Sequence, residues 1–196
     1  MVFDFFRPVE QEIIDFTEHL SFNAIGKSII LHTENHFPDL AEIKIALIGV
    51  LDSRGFDQNS KITIHNIRKS FYSLFPGNWN FKIADLGDIP MGQSQRDTHY
   101  VLKNAVNYLL HHKIIPVVIG GSQDLTYAMY RGYDDLGQTV NCVSVDSKFD
   151  LNRETEFSAN AYLTQMIMQE PSNLFNFSVL GYQTYFSSQE EIELLE

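Results

Sequence analysis

Cysteine is almost missing from this chain: Cys142 is the only one among 196 residues. It stands inside an apolar, strand-like run, so neither a disulfide framework nor a thiolate metal cluster is available, and it reads as a small buried hydrophobe. Long apolar stretches are missing too. No run approaches the length needed to cross a bilayer, and no membrane partner is expected. The first residues, MVFDFFRPVEQE, carry acids within their apolar run and no cleavable pattern, so no signal peptide is read there and a cytoplasmic location is expected. Excess positive charge is absent as well. The formal net charge is −11 with no basic cluster to offset it, which argues against a nucleic-acid partner. Internal repeats, low-complexity tracts and linkers are not evident, and one domain spanning 1–196 is the simplest organisation.

What the sequence does have is aromatic residues (fifteen Phe, nine Tyr) and a regular alternation of β-branched runs with amphipathic segments. The spacing predicts an N-terminal helix over Pro8–Leu20, then a loop-like stretch to Pro38-Asp39. A buried strand is expected at Ile43–Gly49, a helix at about Ile62–Leu74 and a second strand at Phe81–Leu86. The third helix runs from Ser94 to about His112, with Ser94 and Asp97 as its start signal. Further on, strands are expected at Ile114–Ile119, Val140–Val145 and Asn176–Gly181. A helix closed by Pro171 and a last helix opened by the Ser188–Glu191 capping box complete the pattern. Alternation of this kind means an α/β protein with a mainly parallel sheet and helices on both faces.

The centre of the pattern is Ile114 to Asp150. An apolar run stops at Gly120-Gly121, an amphipathic segment spans Ser122 to about Asp134, and a second apolar run ends on Asp146, with Asp150 four residues later. Strand, helix and strand at this spacing form a βαβ unit, whose polar clusters leave from the carboxyl ends of parallel strands, where such sheets hold ligands. Pocket candidates are therefore Gly121, Ser122, Asp146 and Asp150. Gly120-Gly121 before a helix could hold phosphate, but neither G-x-G-x-x-G nor a P-loop Lys follows. Asp124 reads as a first-turn acid and Ser122 has no His base within the motif. Tyr127, Tyr130 and Tyr133 are expected to pack on the sheet. His111 and His112 suit a helix C-terminus, and His32 with His36 reads as a surface loop before a metal pair.

Several segments in order resemble the ureohydrolase family of arginases, agmatinases and formimidoylglutamases, over roughly Ile43 to Glu191. Ile45–Val50 is similar to the family's first strand, and Ile67-Arg68 sits where the family has Ile-Arg, although Thr63-Ile64 replaces the preceding Gly-Pro. Ala84–Asp88 matches its Asp-x-Gly-Asp segment and Pro116–Gly121 the strand entering its Gly-Gly-Asp-His motif. Val145–Asp150 aligns with its Asp-Ala-His-x-Asp motif, and Val179–Gly181 with a later strand. The resemblance implies an arginase-like three-layer α/β/α fold, of which this chain would form the N-terminal two-thirds. It also implies a pair of manganese ions activating a hydroxide against a guanidinium or amidine carbon, and a trimer or hexamer.

The ligands that the resemblance assigns are mostly replaced. Gln123 stands for the first His, with Ser122 for the Asp before it. Asp146 and Asp150 remain, but Lys148 stands for the His between them, and the later Ser-x-Asp-x-Asp motif would lie beyond Glu196. An amide oxygen is a weak substitute for imidazole, and an ammonium has no lone pair and carries the wrong charge. The expectation is therefore no metal site, no cofactor and no catalysis, with Gln123, Asp146, Lys148 and Asp150 as positions of a lost site. Lys148 is expected to pair with one or both aspartates as a built-in counter-ion. Two alternatives remain: a divergent metal-dependent hydrolase of C–N bonds in linear amidines or guanidines, and a small-ligand-binding or assembly protein. In the latter, Asp146 and Asp150 would hold a small cationic ligand, or the chain would form a homo-oligomer.

Overall fold

The computed structural model describes residues 2–57, 64–153 and 157–193. The expected helix start at Ile62, Thr63 of the Thr63-Ile64 pair, Glu154–Glu156 in the loop after Leu151 and the tail to Glu196 lie outside them. The first strand of consequence, β2 (Ile43–Val50), buries five consecutive residues at its end, as a strand covered on both faces must. It pairs in parallel with β3 (Lys82–Ile89), setting Leu47 against Asp85, and on its other side with β4 (Ile115–Ile119), setting Leu47 against Val117. A short strand, β1 (Ile30–Leu31), adds to β3, so the order is β1-β3-β2-β4. The sequence pattern did not reveal β1, because two residues are too few for a period to show.

Alternate residues of β2 and β3 face opposite layers. Ala46, Ile48, Val50, Ala84 and Leu86 pack with Leu102, Ala105, Val106 and Leu109 of α3 (Gln95–His111) and with Leu125 and Ala128 of α4 (Leu125–Asp134). Leu47 faces the other way, toward Ile13 of α1 (Gln11–Glu18) and Tyr72 of α2 (His65–Tyr72). The Ser94–Asp97 start signal is a complete capping box: the Ser94 hydroxyl accepts from the Asp97 backbone, and the Asp97 carboxylate accepts from Ser94 N at 2.7 Å. Helices thus cover both faces of the sheet, as the alternation implied.

One expectation is corrected by the topology. Strands β4 and β5 (Val140–Val145) are joined through α4, but β5 does not pair with β4. It pairs in parallel with β6 (Leu174–Leu180) in a separate two-stranded sheet. That sheet is covered on one face by α5 (Tyr162–Met168), through Tyr162, Leu163 and Met166 against Cys142, Leu174 and Phe177, with Tyr130 of α4 alongside. On the other face Val143 and Val145 are exposed. Chain connectivity fixes the parallel direction but not adjacency, and the sequence pattern reports only the former. The last helix, α6 (Gln189–Glu193), is capped as expected: Ser188 N donates to Glu191 Oε2 at 2.8 Å.

Among the described residues, no helix is long and apolar enough to cross a membrane.

Candidate functional site

Strands β2, β3, β4 and β5 all deliver polar residues from their carboxyl ends, and these gather into three groups. The innermost surrounds Arg68, which is fully buried. Its Nε donates to Asp85 Oδ2 at 2.8 Å and its Nη2 to Asp85 Oδ1 at 2.9 Å, a bidentate fork, while Nη1 donates to Asp88 Oδ1 at 2.7 Å. The Tyr72 hydroxyl donates to Asp85 Oδ2 at 2.6 Å. Burial alone would lower the Arg68 pKa, but the two carboxylates raise it above its ordinary value; burial raises that of Asp88 despite the Arg68 charge beside it. Gly49 leaves the necessary room, since a Cβ there would lie 1.9 Å from Asp88 Oδ1. The Ile-Arg and Asp-x-Gly-Asp segments therefore meet in space as an internal ion-pair network with no opening for a ligand.

The second group lies between the Asp52–Gly55 loop, α3 and the turn at Gly120-Gly121. Both glycines have positive φ (86° and 82°), a left-handed turn that a β-carbon would disfavour. The turn brings Ser122 and Asp124 inside: the Ser122 hydroxyl donates to Asp124 Oδ1, and His99 Nε2 lies 2.6 Å from Asp124 Oδ2. This refines two readings. Asp124 is not simply a dipole-facing first-turn acid; it is buried and fully engaged. Ser122 does have a histidine near it, brought from α3 across twenty-three residues of sequence, but through Asp124 and not in direct contact. The hydroxyl thus points at a carboxylate and not at the imidazole. Asp52 accepts from Arg54 (Nη2 at 2.6 Å) and from Thr98 (2.6 Å). Burial would raise its pKa, yet these bonds hold it below the usual carboxylate range.

The third group contains the four positions singled out from the motifs, and the structure brings them together. Gln123 Nε2 donates to Asp146 Oδ2 at 2.7 Å, and the backbone N–H groups of Ser147 and Lys148 donate to Asp146 Oδ1 at 2.6 and 3.3 Å. Burial acts to raise the Asp146 pKa, but these donors together keep it low. Asp150 is 1% exposed, and its backbone takes the left-handed conformation (φ 56°) that Asp tolerates. Lys148 Nζ stands 2.6 Å from Asp150 Oδ1 and donates to Asn160 Oδ1 at 2.7 Å. Burial nevertheless raises the Asp150 pKa against the Lys148 charge. The counter-ion role expected of Lys148 is present, and Asp150 is the partner. Tyr162 closes the group: burial pushes its phenol up, against hydrogen bonds with Ser144 and Gln123.

This donor set does not fit a pair of divalent metals. The amide of Gln123 turns its N–H toward Asp146, and the ammonium of Lys148 takes the place a cation would occupy beside Asp150. Among the described residues, no group of three or more His, Cys, Asp and Glu side chains could hold a metal ion. Asp146 is held by three donors, whereas Asp150 has the Lys148 ammonium against Oδ1 and no hydrogen-bond partner at Oδ2. Among the remaining histidines, His32 is buried, not on the surface: its Nδ1 lies 2.9 Å from Leu86 O and its ring packs on Phe37, while His36 is exposed. Rings of His111 and His112 approach the carbonyls of Asn107 and Tyr108 at the end of α3, as expected of C-terminal imidazoles. Of the tyrosines, Tyr130 and Tyr127 pack beneath the second sheet and Tyr133 against the first core, and Tyr127 also lines a cavity. No sequence signal announced His99, because only the fold brings α3 to the Gly120–Asp124 turn.

The fold has solved counterparts. The formimidoylglutamase from Bacillus subtilis superposes with a TM-score of 0.73 at 17% identity, covering 88% of this chain and 56% of that one. The formiminoglutamase from Trypanosoma cruzi with Mn2+ gives 0.67 at 19% identity, covering 80% and 58%. The arginase from Medicago truncatula gives 0.65 at 17%, covering 79% and 54%. This chain thus spans a little over half the length of these structures. No curated protein matches the sequence. The model of the Arginase family matches residues 45–195. With three-quarters of its sequence matched by that model, the chain belongs to the arginase family.

Proposed function

We propose that this protein is a non-catalytic member of the arginase family, residues 1–196 forming one arginase-like domain in which the metal centre has been replaced by an internal ion pair. The observation that carries this reading is Lys148 Nζ at 2.6 Å from Asp150 Oδ1. A dinuclear site works by placing two cations among carboxylates and imidazoles so that a bound water becomes acidic enough to attack. Here a side-chain ammonium stands against one carboxylate, and an amide N–H is hydrogen-bonded to the other, which keeps its charge. A metal entering beside Asp150 would have to displace Lys148 and face its charge. The same feature disfavours the divergent-hydrolase alternative, which needs at least one tightly held metal.

A binding or assembly role remains. The exposed valines of β5, with exposed Ile115 and Val117 on β4, favour assembly, with a second copy of the chain as the simplest partner. Elemental mass spectrometry after equilibration with excess manganese or zinc and desalting tests the absence of a metal centre. Near-zero metal per chain is the expected result. One or two retained ions per chain would overturn the reading and return the hydrolase to the lead.

A further inference from the structure

Beside the second polar group, α3 and α4 part to form a cavity of about 240 Å3 lined by Arg96, His99, Tyr100, Lys103, Tyr127, Ala128, Arg131 and Phe157. Positions 96, 99, 100 and 103 share one face of α3, and 127, 128 and 131 share one face of α4, so all of the lining but Phe157, which comes from a turn, is set by the two helices. Three of the chain's fourteen Lys and Arg residues open onto it, giving the cavity the opposite sign to a chain of net charge −11. Among the described residues, Asp135 is bound to Lys103 at 2.7 Å, Asp134 and Asp135 both act on the Arg131 charge, to which Tyr127 is also hydrogen-bonded, and Asp124 lies behind His99 at 2.6 Å. The Arg131 Nε atom is buried with no hydrogen-bond partner, a donor whose burial costs free energy until something accepts from it. The walls are aromatic: Phe157 meets the edge of His99 at 4.5 Å between centroids and lies 5.9 Å from the Arg96 guanidinium, with Tyr100 and Tyr127 alongside.

We infer that this cavity binds a small planar or aromatic oxyanion, a carboxylate or phosphate carried on one ring. The guanidinium groups take the oxyanion, where Arg geometry accepts two oxygens at once. The ring lies among Phe157, Tyr100 and Tyr127. The volume is below the roughly 300–1,000 Å3 of sites for drug-sized molecules, which fits a single ring with one acidic group. The site is separate from the Lys148–Asp150 pair and stands whether or not that pair excludes metal.

The test is titration calorimetry of the full chain with phenyl phosphate, benzoate, inorganic phosphate and benzyl alcohol. Saturable binding of phenyl phosphate or benzoate is expected, with a Kd of about 1 mM or tighter. The affinity should fall with added salt and by about tenfold in Arg131→Gln, the loss expected for one charged hydrogen bond. Arg96→Gln, at an exposed position, should weaken binding by about threefold and carries the test if Arg131→Gln fails to fold. Which ring-borne anion binds better tells phosphate from carboxylate. No binding of either up to about 10 mM would overturn the proposal. Equal affinity for inorganic phosphate or benzyl alcohol, or unchanged affinity in both variants, would overturn it too.

Discussion

Arg68 and Lys148 each answer aspartates of one strand or its end, Arg68 lying against Asp85 and Asp88, Lys148 falling between Asp146 and Asp150 in the chain, and the two clusters are built differently. The Arg68 side chain is 1% exposed, reaches both carboxylates through three nitrogen–oxygen contacts and donates a fourth to the Gly87 carbonyl. The Lys148 side chain is 38% exposed, reaches only Asp150, and spends a second donor on Asn160. A guanidinium is a planar fork that fixes geometry; an ammonium is a point charge that can settle wherever charge is needed. The first cluster is therefore part of the framework joining α2 to β3. The second is a neutralised site at the rim of a fold that could exist without it.

That contrast is open to a direct test. Arg68→Met leaves two buried carboxylates with no cation and should cost about 3–5 kcal/mol, enough to prevent folding in a marginally stable chain. Lys148→Met leaves the one buried carboxylate of Asp150 without its counter-ion, an ammonium that is itself partly exposed, and should cost about 1–3 kcal/mol. Urea denaturation followed by circular dichroism measures both. Equal losses would mean that Lys148 is as much framework as Arg68.

The same contrast governs what could be read from the sequence. Strands β2, β4 and β5, the capping boxes at Ser94 and Ser188, and the glycine turn at Gly120-Gly121 are local signals, and the structure has them all. Lys148 also acts locally, since its partner Asp150 is two residues away. What escaped the pattern depends on distance in the chain. The Arg68 fork joins segments seventeen and twenty residues apart, and His99 reaches Asp124 across twenty-five. Period and composition cannot specify which helix comes to lie over a turn, nor that β5 would leave β4 for β6.

A third polar knot holds the second sheet to the first and is sensitive to acid. Asp134, at the end of α4, accepts from Asn173 N (2.8 Å), Asn173 Nδ2 (3.0 Å), Tyr130 Oη (3.1 Å) and Gln169 Nε2 (2.6 Å). Burial would raise its pKa, but these donors hold it below the ordinary carboxylate value. A depressed folded-state pKa adds stability that is present above the unfolded value, about 3.9, and is lost as pH falls through the folded one. The structure should therefore weaken below about pH 4 in part through this group. Asp134→Asn should cost about 1–2 kcal/mol at neutral pH and make the acid loss shallower, as seen in urea midpoints at successive pH values. An unchanged acid profile would remove Asp134 from the account.

The smallest effect is expected on the open face of the second sheet. Val145 is 82% exposed, so in an isolated chain Val145→Thr removes a methyl group that solvent already surrounds, and stability should move by no more than about 0.5 kcal/mol. If a second copy covers β5, that methyl group lies in an interface, and burial of apolar area makes the substitution costly. The two cases separate on concentration. An uncovered face gives the same urea midpoint for Val145→Thr and its parent at every protein concentration. A covered face gives a midpoint that rises with concentration in the parent and rises less in the variant, because subunit association adds stability by mass action. The rim of the fold would then owe to assembly the rigidity that the Arg68 network gives its centre.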